Sequence, residues 1–157
     1  MEINRYERIW MGIAIAAVVV MLIGVTMAGY TMGVQMPGAA GTVDPRSLKS
    51  QPPFDKPGVT KTADGKYQVV ILTGPNWQFY PAEITVPAGA EVTFKITSRD
   101  VSHGFLVENT NINAMVIPGQ ITQVTTRFTK SGTYQFVCDE YCGVSHQTMA
   151  GKIIIQP

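Results

Sequence analysis

Charged residues, cysteines and histidines are all scarce in this sequence. Of its 157 residues, 15% are charged, two are cysteine and two are histidine. The formal net charge is only +1, which excludes a sequence-independent binder of polyanions such as nucleic acid and argues against a disordered chain. The sequence shows no internal repeat. Its length suits one ordinary domain rather than two.

Charge is absent altogether from the 35 positions between Arg8 and Asp44. Residues 9–32 within this gap read IWMGIAIAAVVVMLIGVTMAGYTM. About 20 such residues, each rising ~1.5 Å along a helix, span the ~30 Å hydrocarbon core of a bilayer. A cleaved secretory signal is the alternative, but its apolar region would run for only about 7–15 residues. We therefore predict a retained transmembrane helix over residues 9–32, after an N-terminal tail of residues 1–8.

Basic residues near this helix predict its orientation. Arg5 and Arg8 lie directly before the helix, whereas Arg46 and Lys49 lie further beyond it. Because positively charged flanks tend to remain in the cytoplasm, the N-terminal tail is predicted to be cytoplasmic. The C-terminal part of this single-pass protein is then outside the cytoplasm, in a compartment that permits disulfides and copper loading.

The rest of the chain divides into a connector and an all-β domain. Residues 33–66 are rich in glycine, proline and polar residues without a sustained period, which predicts a connector. From residue 67 to 157, short β-prone runs alternate with turn signals, a pattern typical of an antiparallel sandwich. No further helix is expected. The predicted strands cover residues 67–72, 83–86, 91–97, 104–108, 121–128, 133–138 and 152–155.

Alternation within two of these strands predicts which side chains face the core. Val92, Phe94 and Ile96 share one face of their strand. The same alternation in residues 133–138 places Cys138 at the core-facing end of a strand, where the chain enters a loop.

All the cysteine and histidine of the chain lies in two short stretches, DVSHGF at 100–105 and CDEYCGVSHQTM at 138–149. Two thiolates, two imidazoles and a thioether suit copper far better than magnesium or calcium. A structural disulfide is one alternative, but it leaves His146 and Met149 unexplained. A structural zinc site with two cysteines and two histidines is another, and it leaves Met149 idle.

Two copper sites remain, and they differ by one residue. A mononuclear blue-copper site takes one cysteine, two histidines and a weak axial methionine. Cys142, His146, Met149 and His103 supply that set and leave Cys138 as a surplus thiol. A second thiolate allows two sulfurs to bridge two copper ions, each of which then needs one imidazole. The inventory of two cysteines, two histidines and one methionine therefore matches a dinuclear centre.

The pattern Cys138-x-Glu140-x-Cys142-x₃-His146-x₂-Met149, preceded by a His-Gly-Phe turn at 103–105, resembles the CuA domain of subunit II of haem-copper cytochrome c oxidases. The single N-terminal anchor is similar to that of the B-type oxidases, as are residues 94–98 (FKITS) and the Asn-x-Asn-Ile-Asn run at 109–113. The resemblance implies an all-β, cupredoxin-like Greek-key sandwich with one N-terminal transmembrane helix.

The resemblance also implies a role for each ligand. Cys138 and Cys142 would bridge both copper ions. His103 and Met149 would complete one ion, while His146 and a backbone carbonyl would complete the other.

That carbonyl belongs to Glu140. Because Glu140 would act through its backbone, replacing its side chain should not by itself abolish copper binding. In many relatives the matching glutamate side chain also helps to hold a magnesium ion at the interface with subunit I, although the B-type resemblance argues against that ion here.

The implied function is electron transfer in a respiratory oxidoreductase. The domain would accept one electron at a time from cytochrome c or another soluble donor and pass it to haem in subunit I, with no oxygen chemistry on this chain. The implied location is the plasma membrane of a prokaryote. One alternative is the same copper module in a nitric oxide or nitrous oxide reductase. Another is a membrane-anchored copper-delivery protein, although a cage of five side chains would resist metal release.

Two aromatic residues are candidates for electron uptake. The family places an aromatic over the copper on the donor-facing side, and Trp77 and Phe79 are equally suited by position. Packing in the sandwich core is the alternative for either one. Residues 33–157 hold ten basic and nine acidic residues, so we expect donor docking to be mainly apolar rather than steered by net charge.

Overall fold

The computed structural model describes residues 4–32, 38 and 40–157, which fall into two compact units on either side of residue 34. The first unit is a single helix, α1, over Arg5–Thr31, whose N-cap Asn4 accepts a hydrogen bond from the Tyr6 N–H at 3.1 Å. An 18-residue window within it has a mean hydropathy of 2.5, and none of its residues is buried. Its 27 residues extend for about 40 Å at ~1.5 Å each. The predicted apolar helix is thus confirmed as a candidate membrane span.

The second unit is a β-sandwich, in whose described residues there are ten strands and two short 3₁₀ helices. The strands are β1 Gly58–Lys61, β2 Tyr67–Gly74, β3 Gln78–Tyr80, β4 Glu83–Pro87, β5 Glu91–Ser98, β6 His103–Val107, β7 Asn113–Val116, β8 Thr122–Arg127, β9 Gly132–Val137 and β10 Ala150–Gln156. The 3₁₀ helices are Leu48–Ser50 and His146–Thr148. Strands β1, β3 and β7 and both short helices were not predicted, because segments of three or four residues show too little periodicity.

Two five-stranded sheets form the sandwich. The first has the order β1-β2-β5-β8, with β3 also paired to β2, and the second has the order β4-β10-β9-β6-β7. The pairs β2–β5 and β4–β10 are parallel, which corrects the expectation of a purely antiparallel sandwich. Parallel neighbours arise here because each pair is joined through the opposite sheet rather than by a hairpin.

The main core lies between the sheets and is largely aromatic and β-branched. Val92, Phe94 and Ile96 are completely buried, as the alternation in β5 predicts. Phe105 of β6 and Phe136 of β9 pack against each other from within the second sheet, with ring centroids 5.3 Å apart. This core forms the floor beneath the loops that follow β9 and precede β6.

Strand β2 is buried on both of its faces. Its residues 69–72 read VVIL, with alternate side chains divided between the main core and a second cluster. The second cluster joins Val70 and Leu72 of β2 to three residues that precede the strand in the chain: Val43, Leu48 and Phe54. A strand covered on both faces has a continuous apolar run rather than an alternating one. The apolar run at residues 69–72 is therefore the sequence feature that indicates a second layer of side chains on the outer face of β2.

The segment predicted as a connector over residues 33–66 is therefore largely part of the sandwich. Of this range, residues 33–37 and 39 lie outside the described residues. The N–H of Val43 donates to the carbonyl of Gly119 at 3.1 Å, and β1 pairs with β2 over four residues. A domain boundary at residue 67 is too late, because it would remove an edge strand and expose the outer face of β2.

Candidate metal centre

Sheet pairing brings the two sequence motifs together. β6 and β9 are antiparallel neighbours, so the start of β6 lies beside the end of β9. His103 is the first residue of β6, and Cys138 directly follows the last residue of β9. The backbone N–H of Gly104 donates to the sulfur of Cys138 at 3.3 Å. Residues 35 positions apart in the chain thus become neighbours at one end of the sandwich.

Gly104 permits this close approach. A Cβ atom at this position would clash with the side chain of Asp139 and would lie 2.8 Å from the backbone nitrogens of Asp139 and Glu140. Real Cβ atoms do not approach backbone this closely. The loop of residues 138–149, here called the copper-binding loop because it carries most of the candidate copper ligands, would therefore have to move. The glycine of the His-Gly-Phe turn therefore has a steric role in bringing the loop against β6.

Backbone hydrogen bonds close the loop that carries most of the candidate ligands. The N–H of Cys138 donates to the carbonyl of Met149 at 3.0 Å, which joins the two ends of the loop. Within it, the N–H of His146 donates to Gly143 and the N–H of Met149 donates to His146, each at 3.1 Å. Gly143 adopts φ +131°, a conformation that favours glycine. The chain then continues directly into β10.

The six predicted ligand atoms form a connected cluster centred on the two sulfurs. The Cys138 and Cys142 sulfurs are 3.7 Å apart, and both thiols are free. Around the Cys138 sulfur lie His103 Nδ1 at 3.9 Å and the Glu140 carbonyl oxygen at 3.1 Å. Around the Cys142 sulfur lie two further donors, His146 Nδ1 at 3.5 Å and Met149 Sδ at 3.8 Å.

These separations suit metal binding. Metal–thiolate and metal–imidazole bonds of about 2.3 and 2.0 Å, the lengths known for zinc, allow two donors of one ion to lie up to about 4.6 Å apart. A disulfide is not present, because it would need the sulfurs at about 2.05 Å. His103, Cys138 and Cys142 offer atoms that all lie within 4.8 Å of one another. His146 lies outside that mutually close set, beside Cys142.

A carboxylate fixes the orientation of the buried imidazole. His103 is completely buried, and its Nε2 lies 2.9 Å from Asp100 Oδ1. Because Nε2 donates its proton to this oxygen, Nδ1 is left free to bind a metal. Burial alone would raise the pKa of Asp100, but hydrogen bonds from His103, the Val101 N–H and the Ser98 hydroxyl together lower it below its ordinary value. The carboxylate therefore remains charged opposite the imidazole.

The two cysteine thiols indicate that this site needs a positive ion. Burial, with smaller contributions from the neighbouring Cys138 thiol and the charge of Asp100, raises the pKa of the Cys142 thiol to about 12. Two adjacent thiolates in a half-buried position are thus unfavourable unless a positive ion neutralises them. Two sulfur ligands, two imidazoles and a thioether are soft to borderline donors, and the chemistry of this set fits copper.

Trp77 and Phe79 lie in different environments. The indole Nε1 of Trp77 donates to the Cys142 carbonyl at 3.2 Å, and the ring packs so closely on Gly143 that a Cβ there would lie 2.7 Å from Nε1. Phe79 is 2% exposed and packs edge-on against Phe136, with centroids 5.1 Å apart. The structure thus places Trp77 on the copper-binding loop and Phe79 in the core.

The turn that carries Trp77 is strained. Asn76 and Trp77 have φ of 81° and 52°. Asparagine tolerates this left-handed region, but a bulky residue such as tryptophan rarely adopts it, at a cost of order 1–3 kcal/mol. The contacts of the indole with the copper-binding loop compensate for this strain. Sequence reasoning identified Trp77 by type and could not see the turn.

Sequence reasoning also missed some contributors to the site. No role was predicted for Asp100, although its position three residues before His103 is a signal available in the sequence. Tyr141 packs edge-on against His146, with centroids 5.8 Å apart, while 77% of it is exposed. Val144, on the same loop, is 81% exposed. The copper-binding loop therefore presents apolar side chains to its surroundings.

Comparisons with known proteins agree with this architecture. The cupredoxin-like domain family matches residues 56–155. Cytochrome c oxidase subunit 2 of Thermus thermophilus is 40% identical over 158 residues, covering 98% of this chain and 94% of that protein. A chain in the structure of a haem-copper terminal oxidase dimer superposes with a TM-score of 0.76 at 31% identity, covering 97% of this chain and all of that one.

A third relative shares only the domain. Nitrous-oxide reductase of Stutzerimonas stutzeri is 34% identical over 98 residues, which is 60% of this chain but only 15% of that enzyme. The agreement with oxidase subunits, by contrast, extends over nearly the whole chain, including the N-terminal helix. The chain therefore belongs to the cytochrome c oxidase subunit 2 family, as the membrane-anchored, copper-binding subunit II that partners subunit I in a haem-copper oxidase.

Proposed function

We propose that the copper centre of this subunit is dinuclear, with Cys138 and Cys142 bridging two ions. The arrangement of the other donors supports this. Each sulfur has one imidazole and one weaker donor beside it. Of the two donors proposed for one ion, His103 lies beside the Cys138 sulfur and Met149 beside the Cys142 sulfur. Of the two proposed for the other ion, the Glu140 carbonyl lies beside the Cys138 sulfur and His146 beside the Cys142 sulfur. Each pair therefore spans the sulfur pair, as two ions that both contact both sulfurs require.

A single ion fits less well. Two donors of one ion lie at most about 4.6 Å apart, and His146 is not part of the mutually close set of His103, Cys138 and Cys142. One ion among those three atoms would leave His146 without a metal. A second ion beside Cys142 gives His146 a role, and it is this position of His146 that carries the proposal.

Two copper ions held between two thiolates supply a centre that takes up and releases one electron at a time. The protein contributes rigidity and exclusion of water. His103 and Met149 are 0% and 2% exposed, and the loop between the cysteines and Met149 is closed on itself by backbone hydrogen bonds. Ligands held this firmly keep nearly the same positions in both oxidation states, which lowers the reorganisation cost of electron transfer.

We propose that electrons arrive from a soluble c-type cytochrome through Trp77. The indole contacts the Cys142 backbone directly, whereas Phe79 is buried too deeply to meet a donor protein. The exposed Tyr141 and Val144, together with the nearly equal numbers of acidic and basic residues, favour a mainly apolar contact with partners.

We further propose that the domain lies outside the cytoplasm of a prokaryotic cell, attached to the plasma membrane by α1. Arg5 and Arg8 at the start of the helix favour a cytoplasmic N-terminus. The full-length relative is from a prokaryote, Thermus thermophilus. A fusion of the C-terminus to a reporter that is active only outside the cytoplasm would test the orientation, and an inactive fusion would refute it.

The dinuclear proposal is tested on the full chain in detergent, loaded with copper after reduction. We expect two coppers per chain and an electron-spin spectrum in which one unpaired electron is shared by both nuclei. Cys138→Ser should abolish this shared-electron spectrum, while the control Glu140→Gln should retain it, because Glu140 contributes its backbone carbonyl. One copper per chain, with a spectrum from a single nucleus, would refute the dinuclear centre.

A second candidate function is the same copper module in a nitrous oxide reductase, favoured by the local identity to the Stutzerimonas enzyme. The relevant test is which large subunit co-purifies through α1. Recovery of a haem-containing subunit I would support the oxidase assignment. Recovery of a reductase subunit would support the reductase assignment instead. Copper delivery is disfavoured, because it would require a readily opened cage.

A further inference from the structure

A small cavity lies beside the strained turn that carries Trp77. It has a volume of about 180 Å³, which is below the ~300 Å³ of typical sites for drug-sized ligands but holds several water molecules at ~30 Å³ each. It is therefore suited to a single side chain or a small ion. Polar side chains come from four of its lining residues: Asn76, Gln78, Tyr80 and Arg99.

The polar lining of the cavity favours an anion. None of the residues that line it is acidic. The guanidinium of Arg99 makes no ion pair with any carboxylate in the described part of the chain. A guanidinium presents several N–H donors in one plane and binds a carboxylate through two parallel hydrogen bonds.

The fold holds Arg99 at the cavity. Its backbone N–H donates to the Thr73 carbonyl at 3.0 Å, directly after β5 ends. Its side chain passes over Gly74, where even a Cβ atom would lie 3.0 Å from Arg99 Cβ. Because Gly74 has no side chain, the stem of Arg99 can lie flat along β2 and direct its charge towards the cavity rim.

The cavity also adjoins the residues proposed for electron transfer. Asn76, which lines it, precedes Trp77, and Arg99 precedes Asp100, which orients His103. Tyr80 at the rim is 65% exposed. A protein that covers Trp77 to deliver electrons would therefore also reach the mouth of the cavity.

We propose that this cavity accepts a carboxylate presented by the soluble electron donor and so positions the donor over Trp77. The proposal rests on the proposed function, since it takes Trp77 as the point of electron uptake. It adds one specific charged contact, through Arg99, to an otherwise apolar docking surface.

The test uses the assembled oxidase with two reductants: a reduced soluble c-type cytochrome of the same organism, and the small carboxylate-free donor tetramethyl-p-phenylenediamine. Arg99→Gln should raise the KM for the cytochrome about fivefold, as expected for one partly exposed charged contact. Turnover with the diamine and kcat with the cytochrome should not change. Arg99→Lys, which keeps the charge but not the paired hydrogen bonds, should give an intermediate KM.

One further variant controls the test. Lys130→Gln also removes one positive charge, but Lys130 lies before the start of β9, at the opposite end of that strand from Cys138 and about 20 Å away from it. This variant should leave the KM unchanged.

The outcomes separate the alternatives. A KM for Arg99→Gln within twofold of the unmodified oxidase would overturn the proposal. Loss of subunit I during purification, with reduced turnover of the diamine, would assign the carboxylate to subunit I and would overturn the donor assignment. Failure of the unmodified oxidase to accept electrons from the cytochrome would refute the proposed donor itself. The copper content and the shared-electron spectrum are measured independently of these KM values, so that failure of the dinuclear proposal is distinguished from failure of the docking proposal.

Discussion

Replacement of Phe54 by alanine tests whether the segment before β2 is a structural part of the sandwich. Phe54 is 1% exposed and belongs to the second cluster, on the outer face of β2. Truncation of a buried phenylalanine to alanine costs about 3–5 kcal/mol. Because this cluster has few members and can partly collapse into the space left behind, we expect a value near the lower limit, about 3 kcal/mol.

The measurement is the unfolding of the full chain without copper, in detergent, followed by near-ultraviolet circular dichroism. For a folded unit of this size, a loss of about 3 kcal/mol lowers Tm by roughly 10–15 °C. Val59→Ala is the matched control on the same segment, since Val59 is 39% exposed and should cost less than about 1 kcal/mol. After copper loading in the cold, the spectrum of Phe54→Ala should match that of the unmodified chain, because the ligands lie on other strands.

A small effect would refute the reasoning. If residues 40–57 were only a connector, Phe54→Ala would cost no more than a surface substitution, about 0.5 kcal/mol or less. Equal Tm values for Phe54→Ala and Val59→Ala would mean that the outer face of β2 is not covered in solution. In that case the boundary at residue 67 would be restored.

Three other substitutions test the copper site. Gly104→Ala should lower the copper content of the purified chain, because a Cβ displaces the loop at Asp139; full copper occupancy would show that the loop adapts at no cost. Asp100→Asn should weaken copper binding about 10–100-fold, as loss of a carboxylate behind a ligating histidine typically does, measured by competition with a chelator; an unchanged affinity would contradict its role. Trp77→Phe should slow reduction by the cytochrome but leave the copper spectrum in place, since the hydrogen bond to Cys142 is lost while the ligands remain; stopped-flow rates equal to those of the unmodified oxidase would exclude Trp77 as the uptake point.

The candidate ligands could be predicted from the sequence because soft donors are rare in it. With only two cysteines and two histidines, one site had to account for all of them. The alternation of β5 likewise predicted a buried face that the structure confirms in Val92, Phe94 and Ile96. In each case a short stretch of sequence contained the whole signal. The ligand roles themselves stay a prediction until copper binding is measured.

The supporting residues could not be predicted, because their roles depend on long-range register. The need for glycine at position 104 arises only when β6 pairs beside β9 and brings Asp139 against it. The choice between Trp77 and Phe79 depends on the turn between β2 and β3, which directs one ring onto the copper-binding loop and the other into the core. Neither fact is contained in a local pattern.

The way in which the ligands are anchored also argues for electron transfer over copper delivery. His103 is fixed at the start of β6, and the two ends of the ligand loop are joined by the hydrogen bond between Cys138 and Met149. Release of copper would require this loop to open, exposing the buried Met149 and breaking contacts between Trp77 and Gly143. A delivery site must open readily, whereas an electron-transfer site gains from staying closed, because motion of the ligands adds to the reorganisation cost. The strained Trp77 turn fits the same reasoning, because its indole donates a hydrogen bond to the Cys142 carbonyl and so helps to hold the loop closed.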